Sequence, residues 1–280
     1  GSYAIRLGTH VQRSSRFPGE EIYLPDTVKT VPELFREAGY FTFNHGKDDY
    51  NFTRDRTLLY STGNGFKDPG IEKGVQAGGG DWRECPAGMP FFAQIQTNGG
   101  KHGYSLEGVA NALRKLGAVD NPKLVGPDEV VVPPQYPDIP EMRTMIAAQL
   151  STMLVSDVEV GQILDRLKAD GHWGNTVIFL VSDHGPLYPR AKQMCYEEGL
   201  HVPLIVAAPG MADLQAVIPP GSRRSQQTAT LDISATALAL AGIPVPAYMD
   251  SADLFAPGPT REYVYSARDR CEWAVDRTRS

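Results

Sequence analysis

Cysteine is scarce in this 280-residue chain: Cys85, Cys195 and Cys271 are all it has. Three are too few for a disulfide framework, and an odd number leaves at least one unpaired. None stands at the spacing of a zinc or redox motif, so they read as ordinary thiols with at most one bridge. No apolar run reaches the length of a membrane span. An excess of cations is missing too. Lys and Arg number 27 against 33 Asp and Glu, a formal charge of −6, which speaks against a general nucleic-acid binder with a basic face. An anionic small molecule stays open, because a few local cations and a metal outweigh the global field. There is no visible signal peptide, repeat or low-complexity segment, and a start at Gly1 rather than Met reads as a cut.

What is present is the material for a core. With 41% hydrophobic residues the chain can bury one large α/β domain, or one with a small appendage, and disorder is excluded. The centre of its organisation is Thr176 to Gly210. Thr176 to Ser182 and Pro203 to Ala208 are β-branched, apolar runs of strand length, and their lack of alternation predicts strands buried on both faces. Between them lies a polar loop with Asp183, His184, Arg190, Lys192, Glu197, Glu198 and His201. An Asp-His pair at the carboxyl end of a buried strand is where open α/β sheets place their sites.

The remaining elements fall into order around this loop. Thr30 to Ala38 predicts a helix, with Thr30 and Glu33 as a capping box, Pro32 in the first turn and Gly39 as the stop. Tyr40 to Asn44 predicts a short strand, followed by Gly46-Lys47. Asn51 to Pro90 lacks periodicity and reads as a surface excursion with one short helix. Pro90 to Gln96 predicts the next strand, and Thr97 to Gly103 a polar loop. Gly126 to Pro140 reads as an extended connector. Glu141 to Ala169 predicts the longest helix, ended by Gly171, its Met142, Met145, Ile146, Leu150, Met153, Leu154, Val158, Ile163, Leu164 and Leu167 forming a core-facing stripe. Helix then strand at Thr176 suggests a doubly wound sheet. Thr230-Leu231-Asp232 is read as the cap of a helix over Ile233 to Ala241, and Glu262 to Ala267 as a late strand.

Several of these segments resemble the sulfatase family of the alkaline-phosphatase-like superfamily. The resemblance rests on Ser182-Asp183-His184-Gly185, Lys192, Tyr196-Glu197-Glu198-Gly199, Val202-Pro203 and Pro209-Gly210, in that order. Gly46-Lys47, the Pro90-Phe91-Phe92 strand and Leu231 to Ile243 extend it. It implies a three-layer α/β/α sandwich with a mixed, mainly parallel central sheet. It also implies hydrolysis of a sulfate ester or N-sulfate by a metal-assisted formylglycine mechanism. Val130 to Pro133 with Pro137 to Pro140 resembles the connector of heparan N-sulfatase-like members, pointing to a sulfated or N-sulfated glycan, while the general likeness to arylsulfatase-type members leaves an aryl substrate open. A periplasmic or extracellular home follows from kinship alone. Phosphonate or phosphodiester hydrolases of the same superfamily, and a non-catalytic anion- or glycan-binding homologue, are the alternatives.

The resemblance assigns roles residue by residue. Asp183 and His184 would ligate a divalent cation, Ca2+ first, with Mg2+ or Mn2+ (or Zn2+, given the imidazole) as alternatives. Lys47 and Lys192 would contact the sulfate, with Arg190 a competitor for the second place. Asp49 stands where many relatives carry His and would bind a substrate hydroxyl or amine. Either His102 or Lys101 would serve the leaving group. The two lysines and the Asp-His pair are expected to converge on one oxyanion pocket.

No cysteine is followed by x-P-S-R, so the formylglycine precursor and the paired aspartates of a first strand are expected upstream of Gly1. The chain therefore reads as a single catalytic-domain fragment, 1–280, lacking that segment and most of a C-terminal subdomain. With no activated nucleophile and only two metal donors, residues 1–280 by themselves are expected to give no arylsulfate turnover and to bind metal weakly. Turnover above an enzyme-free blank would refute this.

Overall fold

A computed structural model describes residues 1–10, 19, 21–47, 50–62, 76–77, 80–100, 105–118, 122–258, 261–268 and 271–275, with 76–77, 267–268 and 271–275 as backbone. In chain order the elements are α1 (Val31–Glu37), β1 (Phe41–Lys47), α2 (Arg56–Leu59), β2 (Gln76–Ala77), β3 (Phe91–Ile95), α3 (Leu106–Lys115) and α4 (Pro140–Ala169). They continue with β4 (Ile178–Val181), α5 (Glu197–Leu200), β5 (Leu204–Ala207), α6 (Asp232–Leu240), β6 (Val264–Arg268) and β7 (Cys271–Val275). They group into two compact units: residues 1–96 with 223–280, and residues 97–222.

In the first unit β1 is the central strand. It runs parallel to β3 from Phe41 opposite Phe91 to His45 opposite Ile95, and antiparallel to β2 at Gly46 and Lys47. Helix α1 starts as the sequence suggests. The Glu33 carboxylate accepts the Thr30 backbone N–H at 2.7 Å and its hydroxyl at 2.8 Å, and Gly39 leaves the helix at φ 88°. The other Glu33 oxygen takes Arg54 at 2.6 and 2.9 Å, so this buried carboxylate is fully engaged. Aromatic rings fill the space beneath. Phe43 and Leu59 are completely buried, Phe35 stacks on Phe92 at 4.3 Å, and Trp82 stacks on Phe91 at 6.2 Å. Each such side chain contributes about 1.5–3 kcal/mol by leaving water.

Asn51 to Pro90 is thus more than a surface excursion. A 3-10 turn, Trp82–Glu84, is capped by Asp81 accepting the Arg83 N–H at 2.9 Å, and it turns Trp82 inward. Leu59 and Tyr60 also join the core. The segment hides few apolar residues among many polar ones, which is why no period shows. Cys85 and Cys195 are free thiols.

Helix α6 differs from its expected cap. Asp232 lies inside the helix rather than ahead of it and is 1% exposed. Its carboxylate accepts N–H groups from Ala229 and Ala252, both at 2.8 Å, and a two-pronged contact from Arg261 at 2.5 and 3.0 Å. It ties together three stretches far apart in sequence. The late strand β6 is present, and β7 pairs with it antiparallel, Val264 opposite Val275.

The second unit is built on α4. Pro140 occupies its first turn, and Gly171, at φ 80°, closes its end with N–H bonds from Gly171 to Lys168 and from His172 to Leu167. Helix α3, capped by Ser105, packs Val109, Ala112 and Leu113 against Val155. Val130, Tyr136, Met142, Ile146 and Ala147 form a second cluster.

Two expectations need correction here. The α4 stripe is only partly buried: Met142, Ile146 and Leu167 face inward, but Leu150, Met153 and Leu154 are 45%, 48% and 38% exposed, while Ala147, Ala148, Ser151, Thr152 and Val155 are buried. Through the middle of the helix small residues, not the larger ones, face inward, which lets α3 and the loops approach closely. Nor are the two apolar strands buried on both faces. β4 and β5 pair antiparallel with each other, Ile178 opposite Ala207, and Leu180, Val181 and Ile205 are 39%, 39% and 56% exposed. Among the described residues neither strand has a further neighbour in its sheet, so nothing completes the burial their composition offers. No helix of the described residues is long and apolar enough to cross a membrane.

Asp232→Ala takes the acceptor from two N–H groups and the carboxylate from Arg261, which among the described residues keeps only the Asp250 carbonyl. It is expected to destabilise the fold by about 3–5 kcal/mol, read as the shift in the denaturant midpoint at unchanged m-value. A loss below about 1 kcal/mol would contradict the role assigned to this carboxylate.

Candidate functional site

The loop from Ser182 to His201 leaves β4 and returns to β5, and its shape comes from backbone crossing backbone. The Gly185 N–H donates to the Gly199 carbonyl at 3.1 Å. A Cβ on Gly185 would run into the Glu198 carbonyl, and one on Gly199 into the carbonyls of Ala191 and Met194. Only glycine fits at both places. Lys192 N–H to Pro186, Ala191 N–H to Tyr188 and Met194 N–H to Ala191 close smaller turns at 3.0–3.2 Å. Ala191 is fully buried beneath them. Arg190 and Gln193 flank this turn at φ 69°, a left-handed conformation costing about 1–2 kcal/mol for residues with a Cβ. Such strain gathers where surrounding contacts over-determine the chain.

At the mouth of the loop, His184 Nδ1 donates to the Gly185 carbonyl at 2.7 Å, since a carbonyl can only accept. That fixes the ring and turns Nε2 to within 3.5 Å of Asp183 Oδ1. The Asp183 side chain is 70% exposed and His184 27%. A neutral His184 would present a lone pair on Nε2 to a carboxylate oxygen, an opposition relieved by a cation or a proton between them. These two donors fit a partial cation site. Among the described residues no group of three or more His, Cys, Asp or Glu could hold a metal ion.

Lys192 lies half-buried in the same loop and has no carboxylate partner among the described residues. Arg190 places its guanidinium over the Tyr196 ring at 4.3 Å, leaving its edge free to donate. Glu197, at the start of α5, and His201, just past its end, pair at 2.8 Å, and Glu198 accepts from Gln135 at 2.6 Å. Tyr188 packs edge-on against Tyr136 at 6.1 Å. Burial, with Tyr136 nearby, pushes its pKa up to about 12.

Of the residues expected to act together, Asp183, His184, Arg190 and Lys192 share this loop. Lys47 belongs to the other unit and ends β1 there. Gly46 turns the chain at φ 129°, Asn44 donates to the Lys47 carbonyl at 2.8 Å, and Gln96 donates to Asn44 at 3.0 Å. Asp49, Lys101 and His102 lie outside the described residues. The loop leading toward the last two is pinned to α4. Glu159 accepts the N–H groups of Asn98 and Gly99 at 2.8 and 2.7 Å, and a Cβ on Gly99 would strike the backbone of Ser156. Asn44, Gln96, Tyr136, Gln149 and Glu159 were all missed by sequence reasoning. Each is a polar residue whose partner is a loop backbone or amide distant in sequence, and no local pattern marks such a pairing.

The fold is that of the alkaline-phosphatase-like α/β class, shared with solved structures. One comes from work on glycosaminoglycan metabolism by Bacteroides thetaiotaomicron. It matches with a TM-score of 0.63 at 17% identity, over 99% of this chain and 70% of that one. A family model described as Sulfatase matches residues 3–243, and the chain belongs to the sulfatase family. An ulvan-active sulfatase of Formosa agariphila is 24% identical over 99% of this chain and 48% of its own length. The human N-sulphoglucosamine sulphohydrolase is 28% identical over 80% of this chain and 46% of its own length. The chain thus spans about half the length of these relatives.

Glycine is required at 199 by a neighbour's backbone but at 161 by nothing, since a Cβ on Gly161, inside α4, meets open space. Gly199→Ala is expected to lose about 1–3 kcal/mol of stability. Gly161→Ala should gain about 0.5–1 kcal/mol. Thermal unfolding of both variants checks the pair, and equal effects would refute the steric account.

Proposed function

We propose that the protein containing this chain hydrolyses sulfate esters or N-sulfates of a glycan. The observation that carries the reading is the backbone-locked loop of a sulfatase-family chain, which holds together an Asp-His donor pair and a lysine with no carboxylate partner among the described residues. The names of the relatives, one acting on ulvan and one on N-sulphoglucosamine, favour a sulfated polysaccharide or its fragments as the substrate class.

Asp183 Oδ1 and His184 Nε2 are the donors that would hold a divalent cation. When bound, the ion would polarise a sulfate oxygen as a Lewis acid. A carboxylate beside an imidazole accepts Ca2+, Mg2+ or Mn2+. Lys192 offers a point charge to the non-bridging oxygens, where negative charge grows as the S–O or S–N bond breaks. Lys47 joins it in this proposal on its place after β1 and its motif alone. Arg190, held flat on Tyr196, is suited to a second anionic or hydroxyl group of a sugar. Asp49, Lys101 and His102 remain the candidates for substrate contact and leaving-group protonation. No cysteine of the chain stands in a formylglycine-precursor context, so no step is assigned to that group.

The test is steady-state turnover of sulfated disaccharides by the full-length protein. Lys192→Ala is expected to lower kcat by about 10²-fold or more, with Lys192→Arg intermediate because the charge survives but its placement does not. Unchanged kcat in Lys192→Ala, in a protein that does turn over sulfate esters, would remove Lys192 from the reaction. Absence of turnover by the wild type would overturn the function.

A further inference from the structure

The turn carrying Lys192 is held in a conformation that its own residues disfavour, and two side chains outside the loop reach in to hold it. Tyr136, on the connector before α4, donates its hydroxyl to the Pro189 carbonyl at 2.8 Å, one residue ahead of Arg190. Gln149, on α4, accepts the Leu187 N–H on its Oε1 at 3.3 Å, while its Nε2 faces Thr152 Oγ1 at 3.3 Å. Tyr136 and Gln149 are 8% and 9% exposed.

Both anchors are themselves fixed. The Tyr136 N–H bonds to Pro133 at 3.0 Å, and its ring lies edge-on to Tyr188. Arg143 of α4 grips the connector through Asp138 at 2.5 and 2.7 Å and through the Val130 carbonyl at 3.2 Å. Within the loop, the Lys192 N–H bonds back to Pro186. The two outside contacts therefore fall inside the ring that Pro186 and Lys192 close. Whatever moves Leu187 or Pro189 moves Lys192.

We infer that Tyr136 and Gln149 are positioning residues, which hold residues 187–189 by two hydrogen bonds from outside the loop and so set where the Lys192 ammonium stands. The effect on catalysis rests on the sulfatase reading of Lys192; the bracing of the loop does not. Neither residue touches the sulfate in this scheme. Their contribution is geometric, and it matters because a charge misplaced by about 1 Å loses much of its effect on a transition state.

The experiment uses the full-length protein with three variants. Tyr136→Phe removes only the hydroxyl, Gln149→Met removes the acceptor at near-constant volume, and Gln149→Glu keeps an acceptor oxygen. Native-state trypsin cleavage after Arg190 and Lys192, mapped by mass spectrometry, reads the loop directly. Cleavage is expected to rise about fivefold to tenfold in Tyr136→Phe and Gln149→Met, the factor that loss of one hydrogen bond implies, and to stay near wild type in Gln149→Glu. In turnover, the same two variants should lose kcat by about tenfold with KM little changed, since Lys192 is assigned to charge that develops in the transition state. Unchanged cleavage and kcat in both would overturn the inference. Gln149→Glu behaving like Gln149→Met would overturn the part given to the acceptor oxygen. If the wild type turns over no sulfate ester while the cleavage differences persist, the functional reading fails and the bracing stands.

Discussion

Where Gly185 crosses residues 198 and 199, two stretches of main chain touch with no side chain between them, and the whole candidate site inherits its geometry from that contact. A loop of this length would otherwise have many conformations of similar energy. The crossing divides it into short turns, each closed by its own hydrogen bond. Once Gly185 is pinned, His184 can reach the Gly185 carbonyl only with Nδ1, and the adjacent Asp183 meets the other ring nitrogen. Once Gly199 is pinned, the carbonyls of Ala191 and Met194 close over it, and Lys192 is carried between them. Two missing Cβ atoms thus decide where a carboxylate, an imidazole and an ammonium can stand.

The second unit keeps this loop in place with a helix that does unusual work for its size. Along 30 residues, α4 uses polar side chains to bind the backbones of four different segments. Ser151 accepts the Val125 N–H, Gln149 the Leu187 N–H and Glu159 the Asn98 and Gly99 N–H groups, while Gln162 donates to the Leu116 carbonyl. Each bond adds only about 0.5–1.5 kcal/mol net, but each also settles a loop N–H or C=O that would otherwise need water. The helix packs through small residues and orders loops through polar ones. Its large apolar residues stand partly outside.

That division of labour explains what could and could not be read from the sequence. Order and type of the main elements were legible because caps and stops are local: Thr30 with Glu33, Gly39 and Gly171 all act where expected. The loop motif was legible because Ser182 to Gly185 and Tyr196 to Gly199, in that order and spacing, resemble the sulfatase pattern. The burial of α4 was legible at Met142, Ile146 and Leu167 but not in its middle, where Ala, Ser, Thr and Gln take the inward face expected of Leu150, Met153 and Leu154. The exposure of β4 and β5 was not, because composition records the burial a strand can provide and not whether a neighbour is there to take it. Asp232 looked like a cap from its position before a helical run, and only the approach of Arg261, 29 residues on, makes it a hub.

Electrostatics at the loop mouth follow from the same economy of contacts. A buried histidine usually settles both ring nitrogens on the protein. Here one is settled on a main-chain carbonyl next door, and the other is aimed at a carboxylate that is itself mostly in water. For pure stability this is a weak arrangement, since an exposed His-Asp pair adds at most about 1 kcal/mol. The strained Arg190 and Gln193, the glycines that hold the crossing and Lys192, with no carboxylate partner among the described residues, also cost stability or contribute none. Four such features gather on this one loop, and stability alone calls for none of them. The residue types on it, an oxygen donor, a nitrogen donor and cations, are those that the proposed metal and sulfate would call on.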